Sequence, residues 1–140
     1  MRAAEATAVS VEHLESIARQ LWDQLDDRAV VWLTGDVGTG KTTFARLLTR
    51  AAGAQPARSP TYALVHRYDS PSGPIIHADC YRLRSADEAI DLDLHDLRRA
   101  ARVLLIEWPE RAGAHAPSPN VHLEFAHDDD PEIRVIRRLQ

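Results

Sequence analysis

A glycine-rich segment of eight residues constrains the fold of this chain more than any other part of the sequence. Residues 35–42 match the phosphate-binding pattern G-x-x-x-x-G-K-[ST] in full. This pattern indicates a phosphate-binding loop only where it follows a buried strand and opens a helix. The apolar, β-branched run at residues 30–34 predicts the strand, and helical spacing of apolar residues over 41–52 predicts the helix. The sequence therefore predicts a P-loop on an α/β scaffold.

The residue types of this loop suit the binding of ATP with magnesium. Glycines let the backbone approach oxygen atoms closely, so that successive N–H groups and the following helix N-terminus face the phosphates. Lys41 adds a full charge at the β and γ phosphates, and the Thr42 hydroxyl is placed to coordinate Mg²⁺. We expect the nucleotide to contact Asp36, Val37, Gly38, Thr39, Gly40, Lys41, Thr42 and Thr43.

The choice of basic residues supports a special role for Lys41. Of 17 basic side chains 16 are arginine, and Lys41 is the lone lysine. A compact ammonium fits a tight phosphate cradle better than a planar guanidinium fork does. The lone lysine also rules out the [NT]-K-x-D guanine-reading element of GTPase switches, so ATP is favoured over GTP.

Two carboxylates are candidates to complete the site. Glu107 directly follows the apolar strand 103–106 and is predicted to hold magnesium together with Thr42, or to orient the attacking water. In the strand predicted at 75–81, His77, Asp79 and Tyr81 share one face, which we expect to line a cleft. We take Lys41, Asp79 and Glu107 as the catalytic residues and His77 as a hydrogen-bonded structural histidine.

The remaining pattern predicts one domain, residues 1–140, with an α/β fold. Ser10 caps a first helix with an apolar stripe from Val11 to Leu25, and Ser85 caps a third helix that runs to about Arg99. The turn chemistry of residues 70–74 predicts a hairpin of strands 62–69 and 75–81. Further strands are predicted at residues 121–125 and 133–136, and a surface loop at residues 112–119. These elements favour a P-loop NTPase-like three-layer sandwich with a mixed parallel and antiparallel sheet.

Composition excludes several classes of function. The net charge of −4, with acids and arginines interspersed, disfavours tight nucleic-acid binding by this chain alone. No apolar run is long enough to span a membrane, and no secretory signal is evident at the N-terminus. The single cysteine, Cys80, fits a reducing cytoplasm, and the histidines form no zinc-like cluster with it.

Four blocks of sequence together resemble the TsaE (YjeE) family over nearly the whole chain. They are the loop extended to Phe44, the Ser-Pro-Thr-Tyr segment at residues 59–62, the His-x-Asp-x-Tyr-Arg-Leu segment at residues 77–83, and Ile-Glu-Trp-Pro-Glu at residues 106–110. These are bacterial ATPases of tRNA threonylcarbamoyladenosine modification. The resemblance implies an ATP hydrolase, weak alone, that acts with TsaD and TsaB partners in the cytoplasm and meets tRNA only indirectly.

The resemblance also assigns expected roles to individual residues. Thr42 and Glu107 match the family's magnesium positions, and Asp79 matches an acid needed for hydrolysis. Residues 59–61 resemble a switch-like loop near the γ-phosphate, and Thr7 is placed near the adenine. Arg134 is a further candidate for nucleotide contact. One departure is Asp93, which follows Leu92 where the family usually has glycine, so this bend is expected to differ in shape.

A small-molecule or nucleotide P-loop kinase is the alternative function. Such kinases need an acceptor pocket and usually an arginine-bearing lid, but residues 112–119 contain no arginine. A screen for phosphoryl transfer to small metabolites separates this alternative from the ATPase.

Overall fold

A mixed eight-stranded sheet forms the middle layer of the molecule. The computed structural model describes residues 6–56 and 64–140. The strands in chain order are β1 (Ala6–Ser10), β2 (Ala29–Thr34), β3 (Gln55–Pro56), β4 (Val65–Ser70), β5 (Gly73–Asp79), β6 (Val103–Glu107), β7 (Val121–His127) and β8 (Ile133–Arg138). Their spatial order is β1-β8-β7-β2-β6-β5-β4-β3. The central four are parallel, and the outer strands on both sides pair antiparallel.

Helices cover both faces of this sheet. They are α1 (Val11–Gln24), α2 (Lys41–Ala51) and α3 (Leu94–Ala100), with short 3₁₀ turns at Ala86–Ile90, Pro109–Arg111 and Gly113–His115. The buried side chains of α1 and α2 pack on one face, and those of α3 and the first 3₁₀ turn pack on the other. The result is a three-layer sandwich with a mixed sheet, as the sequence predicts.

Alternation along the buried strand β6 divides its side chains between the two cores. Val103 and Leu105 belong to the core beneath α1 and α2, whereas Leu104 and Ile106 belong to the core beneath α3. Successive strand residues point to opposite faces, so the two-residue period continues to the end of the strand. Glu107 therefore projects from the sheet on the side of α2, the helix that follows the P-loop.

Most predicted elements are confirmed, with small shifts of their ends. Ser10 accepts a hydrogen bond from the His13 backbone N–H and caps α1 as expected. The predicted hairpin is β4 and β5, joined by a turn at Pro71 and Ser72, although residues 62 and 63 lie outside the described residues. The strands predicted at 121–125 and 133–136 are both longer in the structure. Gly53 has a φ of +70°, which suits the C-terminal end of α2.

The prediction of one continuous third helix from Ser85 to about Arg99 is wrong. The segment forms a 3₁₀ turn at Ala86–Ile90 and a separate α3 at Leu94–Ala100. Asp93 lies between them in the left-handed region with a φ of +46°, and its carboxylate accepts from the Asp96 backbone N–H. Asp93 thus ends the 3₁₀ turn and acts as the N-cap of α3. The family usually has glycine at this position, and here the aspartate marks the start of a helix.

Candidate nucleotide-binding site

The P-loop connects β2 to α2 through a backbone that other residues cannot easily follow. Gly35, Gly38 and Gly40 have φ values of +127°, +78° and +108°. A Cβ at Gly35 would lie 2.0 Å from the Phe125 carbonyl oxygen, an impossible contact. Glycine at this position thus lets the loop leave β2 directly beside β7, where α2 can begin at Lys41.

Lys41 is held inside the loop. It is 4% exposed, and its Nζ donates to the Gly35 carbonyl oxygen and, at 2.7 Å, to that of Asp36. The same ammonium lies 4.6 Å from the ring centroid of Trp108. Burial lowers the pKa of Lys41, although nearby carboxylates, with Glu107 the strongest, act in the opposite direction. The ammonium is therefore held against the loop backbone and poorly hydrated.

Thr42 and Glu107 form the polar contact that joins α2 to the end of β6. The Thr42 hydroxyl donates to Glu107 Oε1 at 2.9 Å and lies 3.1 Å from Oε2. Glu107 is only 2% exposed. Burial alone would raise the pKa of this carboxyl. A hydrogen bond and charge from His77, with smaller effects of Thr42 and Lys41, outweigh burial and lower its pKa, so Glu107 is ionised.

The oxygen atoms of Thr42 and Glu107 are suitable ligands for magnesium. Mg²⁺ prefers oxygen ligands and usually takes one or two from the protein, leaving the others to phosphates and water. A hydroxyl and an ionised carboxylate on neighbouring elements supply that set. Within residues 6–56 and 64–140, no group of three or more His, Cys, Asp or Glu side chains is arranged to hold a metal ion.

Asp79 lies at the end of β5, directly beside Glu107. The two residues are register partners across the parallel pair of β5 and β6. Asp79 Oδ1 accepts from the Tyr81 backbone N–H at 3.0 Å. The alternation predicted for this strand is confirmed, because Ile76, Ala78 and Cys80 belong to the core beneath α3 while Asp79 faces the other side.

An open cavity collects these groups above the P-loop. It has a volume of about 240 Å³ and is lined by Val37, Gly38, Gly40, Lys41, Thr42, Thr43, Asp79, Tyr81, Glu107, Trp108 and Arg134. A neighbouring cavity of about 460 Å³ shares Thr42, Asp79, Tyr81 and Glu107 with it and also contacts Arg46 and His66. The three predicted catalytic residues are thus brought together at one edge of the sheet.

The last hairpin supports the loop in a way that sequence reasoning did not foresee. His127 Nε2 lies 3.1 Å from the Val37 carbonyl oxygen, and Arg134 lies so close to Gly40 that a Cβ there would be 3.2 Å from its Nε. Arg134, a candidate from the sequence, therefore lines the cavity. The contact of His127 had no local signal, because 90 residues separate it from the loop.

Trp108 forms the aromatic wall of the cavity. It adopts a left-handed backbone with a φ of +56°, and its ring centroid lies 4.6 Å from the Lys41 ammonium and 5.0 Å from the Arg111 guanidinium. Tyr81 packs beside it with the ring centroids 5.0 Å apart. This cluster of Tyr81, Trp108 and Arg111 was not predicted, since its members meet only where β5 and β6 both end.

Two expectations concern residues elsewhere. The switch-like segment 59–61 lies outside the described residues. Thr7 lies in β1, where it pairs with Ile136, and is not among the described residues that line the cavity.

In the part of the chain that the structure describes, no helix is long and apolar enough to cross a membrane.

The comparisons with known proteins agree on one family. The family model of "Threonylcarbamoyl adenosine biosynthesis protein TsaE" matches residues 8–136. The TsaE protein of Aquifex aeolicus is 32% identical over 138 residues, which cover 96% of each chain. That of Haemophilus influenzae is 34% identical over 102 residues, covering 72% of this chain and 65% of the relative, so this match spans just under two thirds of that relative.

A solved structure supports the fold independently. The crystal structure of YdiB from Bacillus subtilis superimposes with a TM-score of 0.71 and 21% identity, over 99% of this chain and 88% of the other. At this identity the match shows the fold alone. The family model extends over the P-loop and the ends of β5 and β6, and with these relatives it shows that the chain belongs to the TsaE family of tRNA threonylcarbamoyladenosine biosynthesis proteins.

Proposed function

We propose that this chain, acting as one domain, hydrolyses ATP in the service of tRNA threonylcarbamoyladenosine synthesis. The observation that carries the proposal is the Thr42 hydroxyl hydrogen-bonded to the buried, ionised Glu107, directly beside the Lys41 ammonium. P-loop ATPases use such an arrangement to hold phosphates and magnesium together. Membership of the family supplies the biological process.

Each residue has a distinct role in the proposed reaction. The backbone N–H groups of residues 36–43 and the Lys41 ammonium bind the phosphates. Thr42 and Glu107 would hold magnesium, which neutralises phosphate charge when bound. Asp79, which also lines the cavity, orients the attacking water. Water adds to the γ-phosphorus while the bond from that phosphorus to the β–γ bridging oxygen breaks. The products are ADP, inorganic phosphate and a proton.

The exposed position of the site supports dependence on protein partners. Tyr81 is 41% exposed and Val37 61% exposed at the mouth of the cavity. Among the described residues, no lid covers the cavity. The γ-phosphate of a bound nucleotide would therefore be open to water. We propose that TsaD- and TsaB-type partners complete the site, as partners do for many slow P-loop NTPases. RNA contact is left to those partners, which agrees with the net charge of −4.

Steady-state phosphate release, with and without the TsaB–TsaD pair, tests this proposal. We expect weak turnover alone and a rise of at least about tenfold with the partners, equal to about 1.4 kcal/mol of transition-state stabilisation. Trp108→Ala should reduce this rise more than it changes ATP affinity. Leu139→Ala removes an exposed apolar residue that does not line the cavity and serves as the matched control.

Two results would count against the proposal. Full-speed turnover by the isolated chain with no response to partners contradicts dependence on them. Transfer of the γ-phosphoryl group to a small metabolite, detected in an acceptor screen, would instead support a kinase.

A further inference from the structure

A buried histidine contacts the carboxylate at the centre of the site. His77 in β5 is 5% exposed, and its Nε2 lies 2.6 Å from Glu107 Oε2. At this distance the contact is a hydrogen bond, which the Nε2–H tautomer of the ring donates to the carboxylate oxygen. The reaction proposed above assigns no step to His77.

Strand register explains why these two residues meet. His77 pairs with Leu105, and Asp79 pairs with Glu107, across the parallel strands β5 and β6. Paired residues of adjacent strands point to the same face, and the residue two positions earlier shares that face. The His77 ring therefore lies diagonally behind Glu107 and reaches its far oxygen.

The two oxygens of Glu107 are thereby given different surroundings. Oε2 accepts from the His77 ring and also lies 3.1 Å from the Thr42 hydroxyl, whereas Oε1 has that hydroxyl, at 2.9 Å, as its donor. A ring fixed in a buried strand cannot follow a rotating carboxylate, so rotation of Glu107 would break a charge-assisted hydrogen bond. At 2% exposure of Glu107, little water is at hand to replace it.

We propose that His77 is a positioning residue that holds Glu107 with Oε1 turned toward the Thr42 hydroxyl, the orientation in which this pair would hold the magnesium that accompanies ATP. The inference rests on the proposed function. Histidine and carboxylate partners behind a metal ligand commonly raise metal affinity by fixing the ligand's orientation. His77 thus acts through Glu107 and touches neither the nucleotide nor the metal.

A second histidine provides a matched control. His66 in β4 is the register partner of His77, and the two ring centroids are 6.3 Å apart. His66 lines the same 460 Å³ cavity but is exposed, and within the described residues it has no hydrogen bond to Glu107. His66→Asn therefore removes an imidazole from the same neighbourhood and leaves the carboxylate contact intact.

The test compares His77→Gln with His77→Asn. The glutamine amide reaches the position of Nε2 and can still donate to Glu107, whereas the asparagine amide is one methylene too short. Binding of a fluorescent ATP analogue is titrated in EDTA and then at increasing MgCl₂, and thermal melting checks that each variant is folded. His77→Asn should raise the magnesium concentration for half-maximal effect about tenfold and change nucleotide affinity in EDTA less than about twofold. His77→Gln and His66→Asn should stay within about threefold of the unmodified protein.

The outcomes separate this inference from the proposed function. Unmodified protein that binds no nucleotide refutes the proposed function itself. If it binds, an unchanged magnesium dependence in folded His77→Asn refutes the positioning role alone. Equal impairment of His77→Asn and His77→Gln also refutes it, because packing of the imidazole rather than its hydrogen bond would then matter. Should His77→Asn fail to fold, His77→Met, which fills the space without a donor, replaces it under the same criteria.

Discussion

Two clusters of charged side chains lie at opposite ends of the parallel strands, one buried and one half-buried, and they differ in what their charged groups contact. At the P-loop end, defined here by Lys41, Thr42 and Glu107, polar atoms converge on an open cavity. At the other end lies the arginine clamp, defined as Arg102 with its partners. Arg102 donates to the Asp26 and Leu25 carbonyl oxygens, each at 2.8 Å.

The guanidinium of the clamp also contacts a carboxylate and an aromatic ring. Arg102 Nε also contacts Asp27 Oδ1 at 2.8 Å, and the guanidinium stacks 4.9 Å from the Trp22 ring centroid. Its partners come from the end of α1 and the loop before β2, so the clamp fastens a helix to the sheet. At the P-loop end, by contrast, burial lowers the pKa of Lys41 despite nearby carboxylates. A buried charge that is costly without a ligand indicates binding, whereas one fully hydrogen-bonded to the fold indicates stability.

Replacement of Lys41 should show the difference between the two clusters most clearly, because it should affect activity and not stability. Lys41→Ala is expected to lower ATP hydrolysis at least about a hundredfold, because the phosphate charge loses its ammonium. Lys41→Arg should fail as well, since a planar fork does not fit the cradle. Because burial disfavours the ammonium, Lys41→Ala should not lower thermal stability. Phosphate release and melting curves measure both effects, and near-normal hydrolysis by Lys41→Arg would contradict the argument.

The two carboxylates at the P-loop end should differ from one another. Glu107→Ala is expected to weaken magnesium-dependent ATP binding by about tenfold to a hundredfold, because it removes a ligand position. Asp79→Ala should mainly lower turnover and leave binding measurable. A fluorescent ATP analogue titrated with and without Mg²⁺, together with phosphate release, separates these effects. If neither variant changes binding or turnover, the cavity is not the active site.

Loss of Arg102 should show the opposite behaviour. Arg102→Ala is expected to lower the free energy of unfolding by about 1–2 kcal/mol, because the half-buried guanidinium no longer donates to the Leu25 and Asp26 carbonyl oxygens. ATP affinity should change less than about twofold, since the clamp does not line the cavity. Denaturant unfolding measures the first effect. Arg19→Ala, at an exposed pair with Glu15 on α1, is the control and should cost under about 0.5 kcal/mol.

The smallest expected effect concerns acid stability. Glu107 has a lowered pKa in the folded protein, so its ionised form stabilises the fold above its ordinary pKa. That stability is lost as the pH falls through about 4.3 and below. The difference in melting temperature between the unmodified protein and Glu107→Gln should therefore shrink as the pH is lowered from 6 to about 3.5. A difference independent of pH would show that packing, not ionisation, dominates at this position.

The sequence predicted the centre of the molecule well because its signals there are local. The glycines of the loop, the apolar strands before Gly35 and Glu107, and the period-two pattern around Asp79 all report the conformation of their own segments. The prediction of one continuous third helix was wrong for a reason that is also local. Asp93 caps a new helix, and this effect outweighed the helical pattern on either side of it. Strand β1 was not predicted, because only pairing with β8 makes an extended strand of residues 6–10.

By itself, the sequence determined the phosphate loop, the identity of its ammonium and hydroxyl, and the two carboxylates that end neighbouring strands. These follow from residue type and spacing along short segments. Only the tertiary structure decided that His77 lies behind Glu107, that His127 and Arg134 support the loop, and that Trp108 covers Lys41. These contacts join segments about 30 to 90 residues apart, and sheet order and register, which no local pattern encodes, bring them together.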